Sequence, residues 1–162
     1  MQRKNCLVKL SGDVIDDCES FELLKELSQK YYVVVITGGG TQINKEFAQA
    51  GFVIKFGPMG REIETFKGRQ LARDVLERNQ SEIQDKLLDL GINSFVEIPV
   101  LNIGGVLCHI NGDQFLLTAY NGFDVIYVMT TKERADDKRR LFAPYPKIKV
   151  IESPYQPQQK LD

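Results

Sequence analysis

The chain carries a single histidine, His109, in 162 residues. A centre built from several imidazoles is therefore excluded. Cysteine is sparse: Cys6, Cys18 and Cys108 never stand two residues apart, which rules out a zinc knuckle and a Cys-x-x-Cys redox motif. An odd count, with two of the three inside apolar runs, reads as reduced thiols in a cytosolic protein. Neither sign of charge dominates. Lys and Arg number 21, Asp and Glu 22, and the net charge is -1. A non-specific nucleic-acid binder needs a surplus of cations to neutralise phosphates, so no nucleic-acid partner is expected. No apolar run approaches the roughly 20 residues of a membrane span, and the run after Asn5 is too short for a signal-peptide core. The expectation is a cytoplasmic protein without a membrane partner. Internal repeats, a Gly-x-Ser-x-Gly elbow and a His-Glu-x-x-His helix are also lacking.

What is present suits one folded domain. A chain of this length buries about 70% of its unfolded surface, and 43% of its residues are apolar. Short β-branched runs alternate with longer amphipathic stretches. Strands are expected at Cys6–Leu10, Tyr31–Ile36, Phe52–Phe56, Phe95–Leu101, Val106–Ile110 and Asp124–Met129, with a last edge strand at Lys147–Ile151. Helices are expected at Glu19–Lys30, from after Thr41 to about Gln49, at Phe66–Leu90 and at Gly112–Asn121. Tyr-Tyr-Val-Val-Val-Ile has no polar alternation, as in a strand covered on both faces. The alternation predicts an α/β fold, a three-layer α/β/α sandwich on a mostly parallel sheet. Residues 1–152 form the domain, and 153–162, with Pro154, Pro157 and three glutamines, read as a flexible tail.

In such folds ligands sit beyond the carboxyl ends of the strands. That rule selects Ser11-Gly12, Gly38-Gly39-Gly40 and Thr130-Thr131. Lys9 stands late in an apolar strand; it is either an anion-binding lysine beside Gly12 or an edge-strand lysine facing water. Three glycines before a helix leave backbone N–H groups at its positive end, ready for an anion. Arg61 follows a glycine loop and suits a carboxylate or phosphate, or else caps a turn. Asn111 and Asp113 precede a helix: ordinary caps, or a carboxylate orienting a lysine. His109 reads as packing. Lys132–Arg140 reads as a solvated helix or loop of mixed charge, and no metal-ligating set is found.

Taken together these segments resemble the amino acid kinase superfamily, of the acetylglutamate and uridylate kinase type. Val-Lys-Leu-Ser-Gly at 8–12 and Val-Val-Val-Ile-Thr-Gly-Gly-Gly-Thr-Gln-Ile-Asn at 33–44 are similar to its first two strands and glycine loops. Gly60-Arg61, Asn79, Ile110-Asn111-Gly112-Asp113 and Phe123–Thr130 follow in the family's order. The resemblance implies a reduced kinase-like fold, ATP with Mg²⁺ as cofactor, and a small anionic metabolite as phosphoryl acceptor. Lys9 and Asp113 would be catalytic, and Gly12, Thr130 and Thr131 would hold the cofactor. Gly38, Gly39, Gly40, Arg61 and Asn111 would bind substrate. A homodimer through the 66–90 helix is a further expectation.

The chain also departs from that pattern. Too little sequence lies between Glu97 and Gly105 for the family's central hairpin and helix, and Thr131 and Arg134 replace its aspartate and glycine. Its second lysine has no clear counterpart; Lys132, Lys138 and Lys147 are candidates by proximity alone. Two functions follow: a kinase acting on a small metabolite, or an inactive kinase relative that binds an anion or serves as a subunit.

Overall fold

A computed structural model describes residues 3–153. Its centre is a parallel sheet of five strands: β1 (Lys4–Leu10), β2 (Tyr31–Thr37), β5 (Phe95–Glu97), β8 (Val125–Thr131) and β9 (Ile148–Ser153), in the order β5-β2-β1-β8-β9. The remaining strands form two antiparallel ribbons, β3 (Lys55–Gly57) with β4 (Gly60–Glu62) and β6 (Val100–Ile103) with β7 (Val106–His109). Five α-helices are described: α1 (Cys18–Lys30), α2 (Gly40–Gln49), α3 (Phe66–Asp89), α4 (Gly112–Ala119) and α5 (Lys132–Phe142). The fold is thus mixed α/β on a parallel sheet.

Period-two alternation splits the strand residues between two faces. Cys6, Val8, Leu10, Val33, Val35 and Met129 meet Phe21, Leu24 and Leu27 of α1 and Ile83 and Leu87 of α3. Leu7, Ile36, Ile126 and Val128 meet Leu116 of α4 and Phe142 of α5. Both faces are covered, which is why these strands read as unbroken apolar runs. A third cluster joins Ile43 and Phe47 of α2 to Ala72, Val75 and Leu76 of α3. Each fully buried aliphatic side chain contributes about 1.5–3 kcal/mol over an exposed one. Asp17 caps α1 by accepting from the Glu19 and Ser20 amides, and Thr65 caps α3 by accepting from Gly68.

Several boundaries differ from the sequence reading. The strand expected at Phe52–Phe56 is instead the ribbon strand Lys55–Gly57, outside the main sheet. The run Phe95–Leu101 breaks in two around Pro99, which has no N–H to give a ladder. The helix from Gly112 stops at Ala119 and tightens into a 3-10 turn over Tyr120–Gly122. Of the helix and loop alternatives for the charge run, the structure has the helix, α5. The buried side chains of α3 pack on α2 and the sheet of its own chain, and nothing in the structure supports the expected pairing of this helix with a twin. Ser153, assigned to the tail, ends β9, and its hydroxyl donates to Asp17; residues 154–162 lie outside the described residues. No helix among the described residues is long and apolar enough to cross a membrane.

Candidate anion-binding site

β1 and β2 run parallel, with Leu10 level with Thr37, so both glycine loops open at one end of the sheet. There they approach closely: the Gly38 amide donates to the Leu10 carbonyl at 2.7 Å. A Cβ on Gly38 would lie 2.8 Å from the Gly12 nitrogen and 2.9 Å from that carbonyl, so no larger residue fits between the two backbones. Asn79 of α3 holds the same turn, its Nδ2 donating to the Gly38 carbonyl at 3.0 Å. α2 starts directly after, and the amides of its first turn have no partner within the helix.

A cavity of about 160 Å³ lies beyond this edge. Its lining includes Lys9, Gly12, the three glycines, Arg61, Asn111 and Asp113. Thr130 and Thr131 close β8 and are buried, but they are not among the lining residues. The lining also holds Arg134, Lys138 and His109. The first two stood within the run read as solvated. They are four residues apart on α5, a spacing that places both on one side of a helix, while Ala135 and Phe142 turn into the core.

Lys9 is 6% exposed. β1 lies in the middle of the sheet, which removes the edge-strand alternative. Its Nζ meets Asp113 Oδ1 at 2.7 Å, and Lys138 donates to the other carboxylate oxygen. Asp113 is delivered by α4, whose N-cap Asn111 accepts from the Asp113 amide at 2.9 Å. Burial opposes the charge on Asp113, but the Lys9 and Lys138 ammoniums outweigh it and hold the carboxyl below its usual range. Burial lowers the Lys9 pKa, with Asp113 resisting and Lys138 reinforcing.

Arg61 stands on β4. It donates to Asn44 Oδ1 at 2.5 Å and to the Gly40 carbonyl at 3.1 Å, and its guanidinium lies 4.9 Å from the centre of the Phe56 ring. The turn before it needs glycine: Gly60 has φ +98°, and a Cβ there would lie 2.8 Å from Asn111 Cβ. His109 is pushed down to about 4, first by burial and then by Arg61. Its Nδ1 is buried with no hydrogen-bond partner among the described residues.

Four cations thus line the cavity, with Asp113 the lone carboxylate among its lining residues; Arg134 also pairs with Asp13 at 3.0 Å. Even so, two positive charges remain unbalanced, beside helix N-terminal amides that also favour an anion. No cluster of three or more His, Cys, Asp or Glu side chains among the described residues is placed to hold a metal ion.

No protein-family model and no curated protein matches this chain. Its fold is similar to that of solved structures of N-acetylglutamate synthase from Neisseria gonorrhoeae. One is complexed with coenzyme A and L-arginine (TM-score 0.58, 10% identity, 92% of this chain and 56% of that one). Another is complexed with coenzyme A and N-acetyl-glutamate (TM-score 0.56, 10% identity, 92% and 54%). The chain spans about half the length of these structures. At such identity the likeness speaks for the fold.

These neighbours overturn the kinase reading. They are synthases in complex with coenzyme A, so membership of the amino acid kinase superfamily, phosphoryl transfer, ATP with Mg²⁺ and the inactive-kinase alternative are all corrected. The physical reason is plain. A lysine, a glycine turn and a helix N-terminus select for negative charge, and carboxylates and phosphates answer that description alike.

Proposed function

We propose that this cavity binds a small anionic metabolite through a carboxylate, with Arg61 and Lys9 as its principal cations and the Gly38–Gly40 turn supplying amides. The surplus of positive charge in a recess at the strand ends carries this reading. Arg61 offers a planar fork suited to a carboxylate, and its bonds to Asn44 and Gly40 hold it in place before a ligand arrives. In this reading Asp113 positions Lys9 and Lys138, and Asn111 fixes Asp113. The neighbours' complexes with N-acetyl-glutamate and L-arginine support a metabolite of amino-acid size.

Coenzyme A in both complexes favours a second reading, in which the chain takes part in acetyl transfer. A titration separates the two. N-acetyl-L-glutamate, L-arginine and coenzyme A are each added to the protein while its unfolding is followed. A ligand at a hundredfold its Kd adds about 2.7 kcal/mol of stability. Saturable binding of N-acetyl-L-glutamate, weakened at least about tenfold in Arg61→Met by loss of a charge-assisted pair, is the expected result. Stabilisation by L-arginine alone, or by none of the three, overturns it. Stabilisation by coenzyme A alone moves the assignment to the second reading.

A further inference from the structure

The contacts divide the cavity lining into two parts. Lys9, Lys138 and Asp113 form one, joined by their ion pairs. Arg61 stands apart from these ion pairs: its guanidinium lies over Phe56, and the apolar residues Ile43, Leu76, Pro99 and Ile110 also belong to the lining. Phe56 is 65% exposed although it lines the cavity. Met59, in the turn that joins β3 to β4, is 73% exposed, and its sulfur lies 3.8 Å from Gln114 Nε2 on α4. Gly60, next in the chain, packs against Asn111 of the lining. Two large apolar side chains are therefore displayed by the short ribbon that also carries Arg61. One exposed apolar residue needs no explanation. A pair on the ribbon that carries the clamp does, because a ligand that met only cations would leave this surface in water.

We propose that the ligand is an amphipathic anion, a carboxylate bearing a short apolar chain that lies along Phe56 and runs outward toward Met59. This rests on the anion reading above and adds a substrate class to it. Purely polar dicarboxylates and inorganic phosphate would satisfy the cations and leave the ring uncovered. A carboxylate with an aliphatic or acyl body satisfies both, since the planar fork of Arg61 fixes the head beside the ring.

Straight-chain carboxylates test it: acetate, butyrate and hexanoate, titrated into the full chain and followed by NMR or calorimetry, with succinate as the polar comparison. The readout is the dependence of affinity on chain length. Affinity is expected to rise about tenfold for each two methylenes added, the transfer value of buried CH₂ groups. In Phe56→Ser and in Met59→Ser that dependence flattens. Both side chains are mostly exposed, so neither change opens a core cavity. If acetate and succinate bind but affinity does not grow with length, the apolar subsite is overturned and the anion site survives. Growth that is equal in both variants overturns the assignment to Phe56 and Met59. If no carboxylate binds, both readings fall.

Discussion

Lys9 and Asp113, 104 residues apart in sequence, meet at 2.7 Å in the interior. Asp113 also takes Lys138, whereas Lys9 has Asp113 as its ion-pair partner. The two ends of the pair are therefore unequal. Asp113→Ala strands two ammoniums, one of them buried, and is expected to destabilise by about 3–5 kcal/mol, the cost of an uncompensated buried charge. Lys9→Met leaves the carboxylate with Lys138 and keeps most of the packing, so less than about 2 kcal/mol is expected. Urea unfolding of both variants checks the order; a greater loss for Lys9→Met would contradict it.

Proton linkage at His109 gives a second prediction. Its folded pKa is about 4, against about 6.5 in an unfolded chain. Between these values the unfolded state binds the proton and the folded state does not, so stability falls as pH is lowered from 6.5 to 4. The full effect is at most about 3 kcal/mol. His109→Gln should remove that slope, which parallel unfolding curves at pH 7, 5.5 and 4.5 would reveal. Asp113 acts further down: its depressed carboxyl contributes stability that is present above the ordinary carboxylate range and lost as pH falls through its lowered value.

Two glycines should respond differently to alanine. At Gly38 the new methyl group meets backbone on two sides, within 2.9 Å. Overpacking of this kind costs about 1–3 kcal/mol, and the anion site should loosen with it. At Gly122 a Cβ meets nothing within 4 Å, and the same change is expected to be neutral within about 0.5 kcal/mol. Similar melting temperatures for the two variants would count against the close approach of the loops.

Thiol labelling offers a third contrast. Cys18 is exposed, Cys108 half-buried and Cys6 buried, the last with its pKa pushed up to about 12 by burial. Because the thiolate is the reactive form, a disulfide reagent should modify Cys18 first and reach Cys6 only when the chain unfolds. Rapid modification of all three under native conditions would refute the placement of β1 in the core.

The central strands were legible because both faces of each are covered, leaving no polar residue to blur the run Tyr31–Ile36. The extent of α3 was legible in the sequence, but Thr65, which caps its start by accepting from Gly68, was not part of that reading. The ribbons were not: three- and four-residue strands away from the main core carry little periodicity, and Phe52–Phe56 offered apolar residues without a partner to reveal their geometry. Of the three segments selected beyond strand ends, Gly12 and Gly38–Gly40 share one cavity lining with Lys9, Arg61 and Asp113, whereas Thr130 and Thr131 do not. Arg134 was hidden by the acids around it, and Lys138 stood as one of three candidates by proximity, since only the fold decides which charges of a mixed helix face a recess. The kinase identification failed at the same boundary. Short segments specified a preference for negative charge, and nothing in them specified the molecule that carries it.

The order of strands in the sheet also constrains how the protein comes into being. β1 is flanked by β2 and β8, so its second edge waits for residues 125–131. Lys138 emerges later still. During vectorial synthesis at about 5–20 residues per second, β1 would spend seconds as an open apolar strand with Lys9 unaccompanied. Chains released early would expose that edge to one another. The recess at the strand ends is thus completed only once Lys138 has been made, although Lys9 is the first of its cations.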